Sequence, residues 1–133
     1  MRSNDEKKPL SLDMTSTQNG ELQSFSFDGT IQSKDGSHLI KYVDESGVKT
    51  LIKLGDDDSI HLIRSGDHVD HRFTVITNQN TVGTMGNSSF TVVGRRAFWK
   101  YDDMSGEIRI CYDLPDISNE PMSFNIRIKF TLK

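Results

Sequence analysis

The chain has 133 residues, a formal charge of −3 from 16 basic and 19 acidic side chains, and one cysteine, Cys111. That length holds one ordinary domain with its own core. The mild acidity gives no reason to expect nucleic acid or an anionic membrane as a partner, and a lone cysteine excludes an intrachain disulfide.

No stretch approaches the roughly 20 consecutive apolar residues of a membrane helix. The opening Met1-Arg2-Ser3-Asn4-Asp5-Glu6-Lys7-Lys8-Pro9 is followed by no apolar segment of secretory length. The expected location is therefore the cytoplasm, without membrane attachment. Residues 1–8 are charged and polar, and are expected to form a flexible tail. Residues 9–133 are expected to form a single β-barrel domain.

Alternation of apolar and polar residues runs through the rest of the chain. A period of two is the signature of half-buried strands. Leu10, Leu12 and Met14 open the series, and Asn19-Gly20 is a strong hairpin signal. Phe25, Phe27 and Ile31 belong to the next strand, which Asp35-Gly36 turns towards Ile40 and Tyr42. Ser46-Gly47 leads into Val48, Thr50, Ile52 and Leu54; Gly55 and the aspartates Asp56-Asp57-Asp58 form the next turn. Ile60, Leu62 and Arg64 then share a face before Ser65-Gly66-Asp67.

A strand near residues 69–77 carries Val69, Phe73 and Val75, and two short strands flank Met85-Gly86-Asn87. After Phe90 and Val92, Gly94 marks a bulge or bend, beyond which Ala97, Trp99 and Tyr101 alternate. Ile108, Ile110, Tyr112 and Leu114 follow, and Pro115 ends that strand because it lacks a ladder donor. The C-terminus is clearest: Met122, Phe124, Ile126, Ile128, Phe130 and Leu132 occupy alternate positions without a break.

Short connections imply antiparallel neighbours. With no helix to cover it, such a sheet closes on itself or packs on a second sheet, and closure also removes exposed edges. The expected fold is all-β: a single antiparallel up-and-down barrel of about ten strands, ahead of a sandwich.

Several ordered segments resemble a known family. They are Val48-Lys49-Thr50-Leu51-Ile52-Lys53, Ile63-Arg64-Ser65-Gly66, Thr84-Met85-Gly86, Gly106-Glu107-Ile108-Arg109-Ile110 and Tyr112-Asp113-Leu114. Their order and spacing resemble the YwiB-like proteins, small bacterial barrels of the calycin (lipocalin-like) type with no established function. The resemblance implies a calycin-like barrel and, by analogy of fold alone, a small-molecule cavity. Val82-Gly83-Thr84 departs from the pattern of that resemblance, in which an aromatic residue stands just before the threonine.

Parity points Ile60, Leu62, Arg64, Ile108, Ile110 and Tyr112 inward. An inward guanidinium needs a partner, because an unpaired buried charge is costly. Arg64 is accordingly the first candidate for holding a ligand carboxylate or phosphate. The plainer reading, which carries more weight, is an internal ion pair with Asp or Glu, or snorkelling to water at a strand end. Tyr112 and Trp99 are the further candidate ligand contacts; each is otherwise an ordinary core aromatic.

The cluster Asp67-His68-Val69-Asp70-His71, with His61 one strand earlier, offers too few residues per face for a metal site and reads as a solvated turn. Asp56-Asp57-Asp58 lacks the spacing of a calcium loop. Gly83-Thr84-Met85-Gly86 lacks the Lys-Ser/Thr of a phosphate loop, and no serine sits in a Gly-x-Ser-x-Gly elbow. Arg95-Arg96 beside Phe98 and Trp99 mixes basic and aromatic residues, but alternation splits the arginines across two faces. Cys111 has no neighbouring base and reads as an inert thiol. Neither catalysis nor a cofactor or metal is expected.

Two functions remain. One is a module binding a small hydrophobic or anionic ligand inside the barrel. The other is a structural or interaction barrel with a packed interior, for which the outward apolar residues Leu39, Val43, Ile63 and Phe98 point to a homodimer or another protein partner.

Overall fold

The structure is a computed structural model that describes residues 6–55, 58–102, 104–116 and 119–133. Ten strands follow one another: β1 Lys7–Gln18, β2 Glu21–Lys34, β3 Ser37–Val43, β4 Lys49–Leu54, β5 Ser59–Gly66, β6 Val69–Ile76, β7 Asn80–Met85, β8 Ser88–Tyr101, β9 Ser105–Leu114 and β10 Met122–Leu132. They form a closed antiparallel barrel in sequence order, with β10 closing onto β1. This is the up-and-down barrel that alternation implies. Among the described residues there is no helix, and so none long and apolar enough to cross a membrane.

The hairpin signals act as turn chemistry requires. Asn19 and Gly20 have φ of 50° and 87°, and Asp35 and Gly36 have 53° and 82°. Two successive positive φ values define the turn whose twist matches paired strands. The expected tail over residues 1–8 ends sooner than its charges imply: Lys7 and Lys8 already pair with Gln32 and Ile31. Ladder pairing uses backbone groups and tolerates charged side chains at a strand end. Asp56 and Asp57 of the aspartate turn lie outside the described residues.

Gly94 sits at a register shift in the β8–β9 ladder, where Gly94 faces Tyr112 and Arg96 faces Cys111. The extra residue exchanges the faces of β8. Even-numbered Phe90 and Val92 point in before it, and odd-numbered Ala97, Trp99 and Tyr101 point in after it. A Cβ on Gly94 would lie 2.1 Å from the Ile76 carbonyl oxygen. The bulge therefore seats where another backbone crosses closely. It also overturns the expected split of Arg95 from Arg96, since both are exposed. Arg95 Nε donates to Asp113 Oδ1 at 3.1 Å, and Arg96 lies 5.4 Å from the Phe98 ring centre.

The interior differs between its two ends. One end gathers the chain termini and the turns after β2, β4, β6 and β8. Its side chains, among them Leu10, Leu12, Ile31, Ile40, Leu54, Ile60, Val75, Val92 and Ile108, are essentially fully buried. His38 plugs this end, edge-on to Trp99 and Tyr101, while Tyr101 packs on Phe130. The opposite end carries the turns after β1, β3, β5, β7 and β9, and there the core gives way to space.

Candidate ligand cavity

The hollow end holds a cavity of about 790 Å³. That volume lies within the range of small-molecule sites, roughly 300–1,000 Å³. It opens to solvent where Phe25, Glu45, Ser46 and Met85, all lining residues, are exposed.

Its walls are mainly apolar and aromatic because alternation brings one face of every strand inward. Tyr112 stacks on Phe124 at 4.9 Å between ring centres and lies 5.2 Å from Phe73. On another part of the wall, Phe27 stacks on Tyr42 at 4.7 Å, and Phe25 continues that row at 6.0 Å. The Val82-Gly83-Thr84 departure finds its reason here. Gly83 is the inward position of β7, and a Cβ there would lie 2.6 Å from the Phe90 ring. Phe73 and Phe90 from the neighbouring strands occupy the room an aromatic would need.

A polar group stands among these rings. Arg64 lines the cavity with its side chain 41% exposed, and its Nη2 lies 3.7 Å from Asp44 Oδ2. That is an ion pair beyond direct hydrogen-bond length. Asp44 is itself anchored: its Oδ1 accepts from the backbone N–H of Ser46 at 2.9 Å and of Val48 at 3.1 Å, which shapes the β3–β4 turn. Thr50, buried at 2% exposure, hydrogen-bonds the Tyr42 hydroxyl and faces Arg64 in the β4–β5 ladder. His71 faces Arg64 in the β5–β6 ladder.

The electrostatics match that placement. Burial raises the Tyr112 phenol well above its ordinary value, and the nearby Arg64 charge opposes the rise. Burial also raises Tyr42, against its Thr50 hydrogen bond and Arg64. Burial, then Arg64, lower His71, against Asp70. The site thus holds a permanent cation, two phenols kept protonated and an imidazole disposed to neutrality.

The sequence-derived candidates divide accordingly. Arg64 and Tyr112 meet in the cavity as parity placed them. Trp99 does not: it points inward, but at the packed end against His38. It pairs with Ile108, four residues along β9 from Tyr112 and so roughly 13 Å away. Tyr42, Thr50, Asp44 and His71 went unrecognised as site residues. For His71 the signal was available, since it alternates with Phe73 and Val75. Reading the histidine run as a solvated turn holds for Asp67 and His68, both exposed in the β5–β6 turn, where His68 has φ of 66°, but not for His71.

A family model described as a domain of unknown function, DUF1934, matches residues 10–128. The chain belongs to the DUF1934 family. A search of curated proteins finds no match for this DUF1934 chain. Among solved structures it is similar to the ywiB protein from Bacillus subtilis, with a TM-score of 0.79, 21% sequence identity, and coverage of 96% of this chain and 93% of that one. The likeness shows the fold, and with the family match it bears out the YwiB-like resemblance and the closed antiparallel barrel expected with it. This DUF1934 barrel's function must be argued from its own cavity.

Proposed function

We propose that the protein is a small-ligand binding barrel. It takes an amphipathic molecule, with the apolar body among Phe27, Phe73, Phe124 and Ile126 and an anionic head against Arg64. One observation carries this reading: a cavity of about 790 Å³ whose aromatic wall contains a cation held only 3.7 Å from its carboxylate partner. An arginine at that separation can turn both nitrogens of its fork towards an incoming carboxylate or phosphate. Tyr112 and neutral His71 add polar atoms beside that head. A packed interior, as the alternative interaction barrel requires, describes only the end around Leu10 and Ile108. Cys111, whose Sγ donates to Asn125 Oδ1 at 3.0 Å, is a buried free thiol and supports a reducing compartment, the cytoplasm.

The test is displacement of the fluorescent anion anilinonaphthalene sulfonate by dodecanoate and by dodecanol. Dodecanoate should bind about 10-fold or more tightly than dodecanol, the worth of a charge-assisted hydrogen bond. Arg64→Met should remove the difference while leaving dodecanol binding intact. Failure of either molecule to displace the dye, or equal affinities in the wild type, sinks the proposal. Native mass spectrometry of protein purified from its own host should in addition find a co-purifying amphiphile.

A further inference from the structure

The charges of the cavity are ordered along its depth. Tyr42, Thr50, Arg64 and His71 stand side by side across β3, β4, β5 and β6. Two residues further in, Ile52, Leu62 and Phe73 form an apolar row. Two residues beyond Tyr42, towards the mouth, comes Asp44, followed by exposed Glu45. Among the described lining residues, only Arg64, Asp44 and Glu45 bring a full charge, since His71 is held towards neutrality. One cation therefore faces two carboxylates, and both spring from the turn on the mouth side of its row. Asp44 Oδ1 is taken by the N–H groups of Ser46 and Val48. Its Oδ2 faces Arg64 and accepts no hydrogen bond from any described residue.

Two further features face this array. Tyr112 is 6% exposed and lines the cavity, yet its hydroxyl has no hydrogen-bond partner among the described residues. Burying a hydroxyl unpaired is costly. An acceptor oxygen inside the cavity relieves that cost, close enough to Arg64 for the guanidinium charge to act on the phenol. The stacked row Tyr42–Phe27–Phe25 begins at the depth of Arg64 and ends at the mouth, where Phe25 is 42% exposed. Aromatic ring faces attract organic cations. The cavity thus calls for an acceptor at the level of the guanidinium and favours a cation further out.

A simple fatty-acid head satisfies half of this pattern. It meets Arg64, but also two carboxylates that repel it. A head with an anion at the depth of Arg64 and a cation outside it meets opposite charge at both levels. A carboxylate ends a chain, so an anion with the tail on one side and a cation on the other is a linking group. A phosphodiester is such a group, and it offers two free oxygens to a guanidinium fork. We propose that the ligand is a single-chain phosphodiester amphiphile with an ammonium head, of the phosphocholine or phosphoethanolamine kind. This rests on the small-ligand reading above and names its ligand class. The tail lies among Phe73, Phe124 and Ile126. The phosphate accepts from Arg64 and Tyr112, and the ammonium sits between Asp44, Glu45 and the Phe25 ring.

Charge order gives the test. Dodecylphosphocholine runs tail, anion, cation; dodecyl sulfobetaine has the same tail and the same two charges reversed. Each competes with anilinonaphthalene sulfonate on the full chain, below its micelle-forming concentration. Dodecylphosphocholine should bind about 5-fold or more tightly, the worth of a cation held against ring faces and carboxylates. Asp44→Asn with Glu45→Gln removes both negative charges and keeps the Oδ1 acceptor of the turn. This variant should bring the two detergents within about 2-fold of each other and bind dodecanoate more tightly, since nothing then repels it. Glu45→Gln alone, at an exposed position, should reduce the preference part-way and does not touch the turn bonds. Equal affinities of the two detergents for the wild type overturn the proposal. So does an undiminished preference in both variants. Displacement by dodecanoate but by neither detergent overturns it too and leaves the binding barrel standing, whereas failure of dodecanoate, dodecanol and both detergents alike sinks both.

Discussion

Ile108 and Ile126 offer one chemical change at the two ends of the barrel. They stand on adjacent strands, Ile108 paired with Ile128 and Ile126 with Ile110. Ile108 is fully buried in the packed end, whereas Ile126 is half-buried and lines the cavity. Truncation to alanine removes three carbons, worth about 2.4 kcal/mol at about 0.8 kcal/mol each. At Ile108 a void remains and adds about 24 cal/mol per Å³, so Ile108→Ala should cost about 4 kcal/mol in total. At Ile126 the space already exists and part of the side chain is already solvated. The void contribution vanishes and the transfer contribution shrinks, leaving about 1–1.5 kcal/mol. Equilibrium urea unfolding measures both. With a slope of about 2 kcal/mol per molar, the midpoint should fall by about 2 M for Ile108→Ala and by less than about 1 M for Ile126→Ala. Equal losses with unchanged slopes would refute the division of the interior into a packed end and a hollow one.

Gly94→Ala should cost about 2–3 kcal/mol, the upper part of the overpacking range, because the new methyl meets the backbone oxygens of Ile76 and Gln79 rather than a movable side chain. Thermal unfolding within 0.5 kcal/mol (~) of wild type would show that the β8 bulge relaxes freely. The pH dependence of stability should carry the mark of His71. Its folded pKa is held below 6.5, so the unfolded chain takes up the proton first. The stabilisation is complete above about pH 6.5 and is lost as pH falls through the lower folded value. His71→Gln should flatten that fall in urea titrations between neutral and mildly acid pH. His38, lowered by burial at the opposite end, leaves a remainder in the variant. An identical slope in wild type and His71→Gln would show that His71 titrates alike in both states.

Much of this molecule follows from sequence alone. Strict alternation in Met122–Leu132, the Asn19-Gly20 and Asp35-Gly36 hairpins, and the inward parity of Ile60, Leu62, Ile108, Ile110 and Tyr112 are local properties. A strand's two faces and a turn's φ values depend on adjacent residues, so a linear reading recovers them. The phase change at Gly94 was legible as a bulge, but its consequence for Arg95 required the partner strand. Parity also says only that a side chain points inward, not how far along the barrel axis it stands. Arg64 and Trp99 both point inward, yet strand offsets place one in the cavity and the other in the packed plug. Whether inward side chains meet depends on register and barrel width, which are summed over all ten strands. Alternation thus determined that there is a barrel and which residues face its interior; the three-dimensional closure decided that this interior is packed at one end and open at the other.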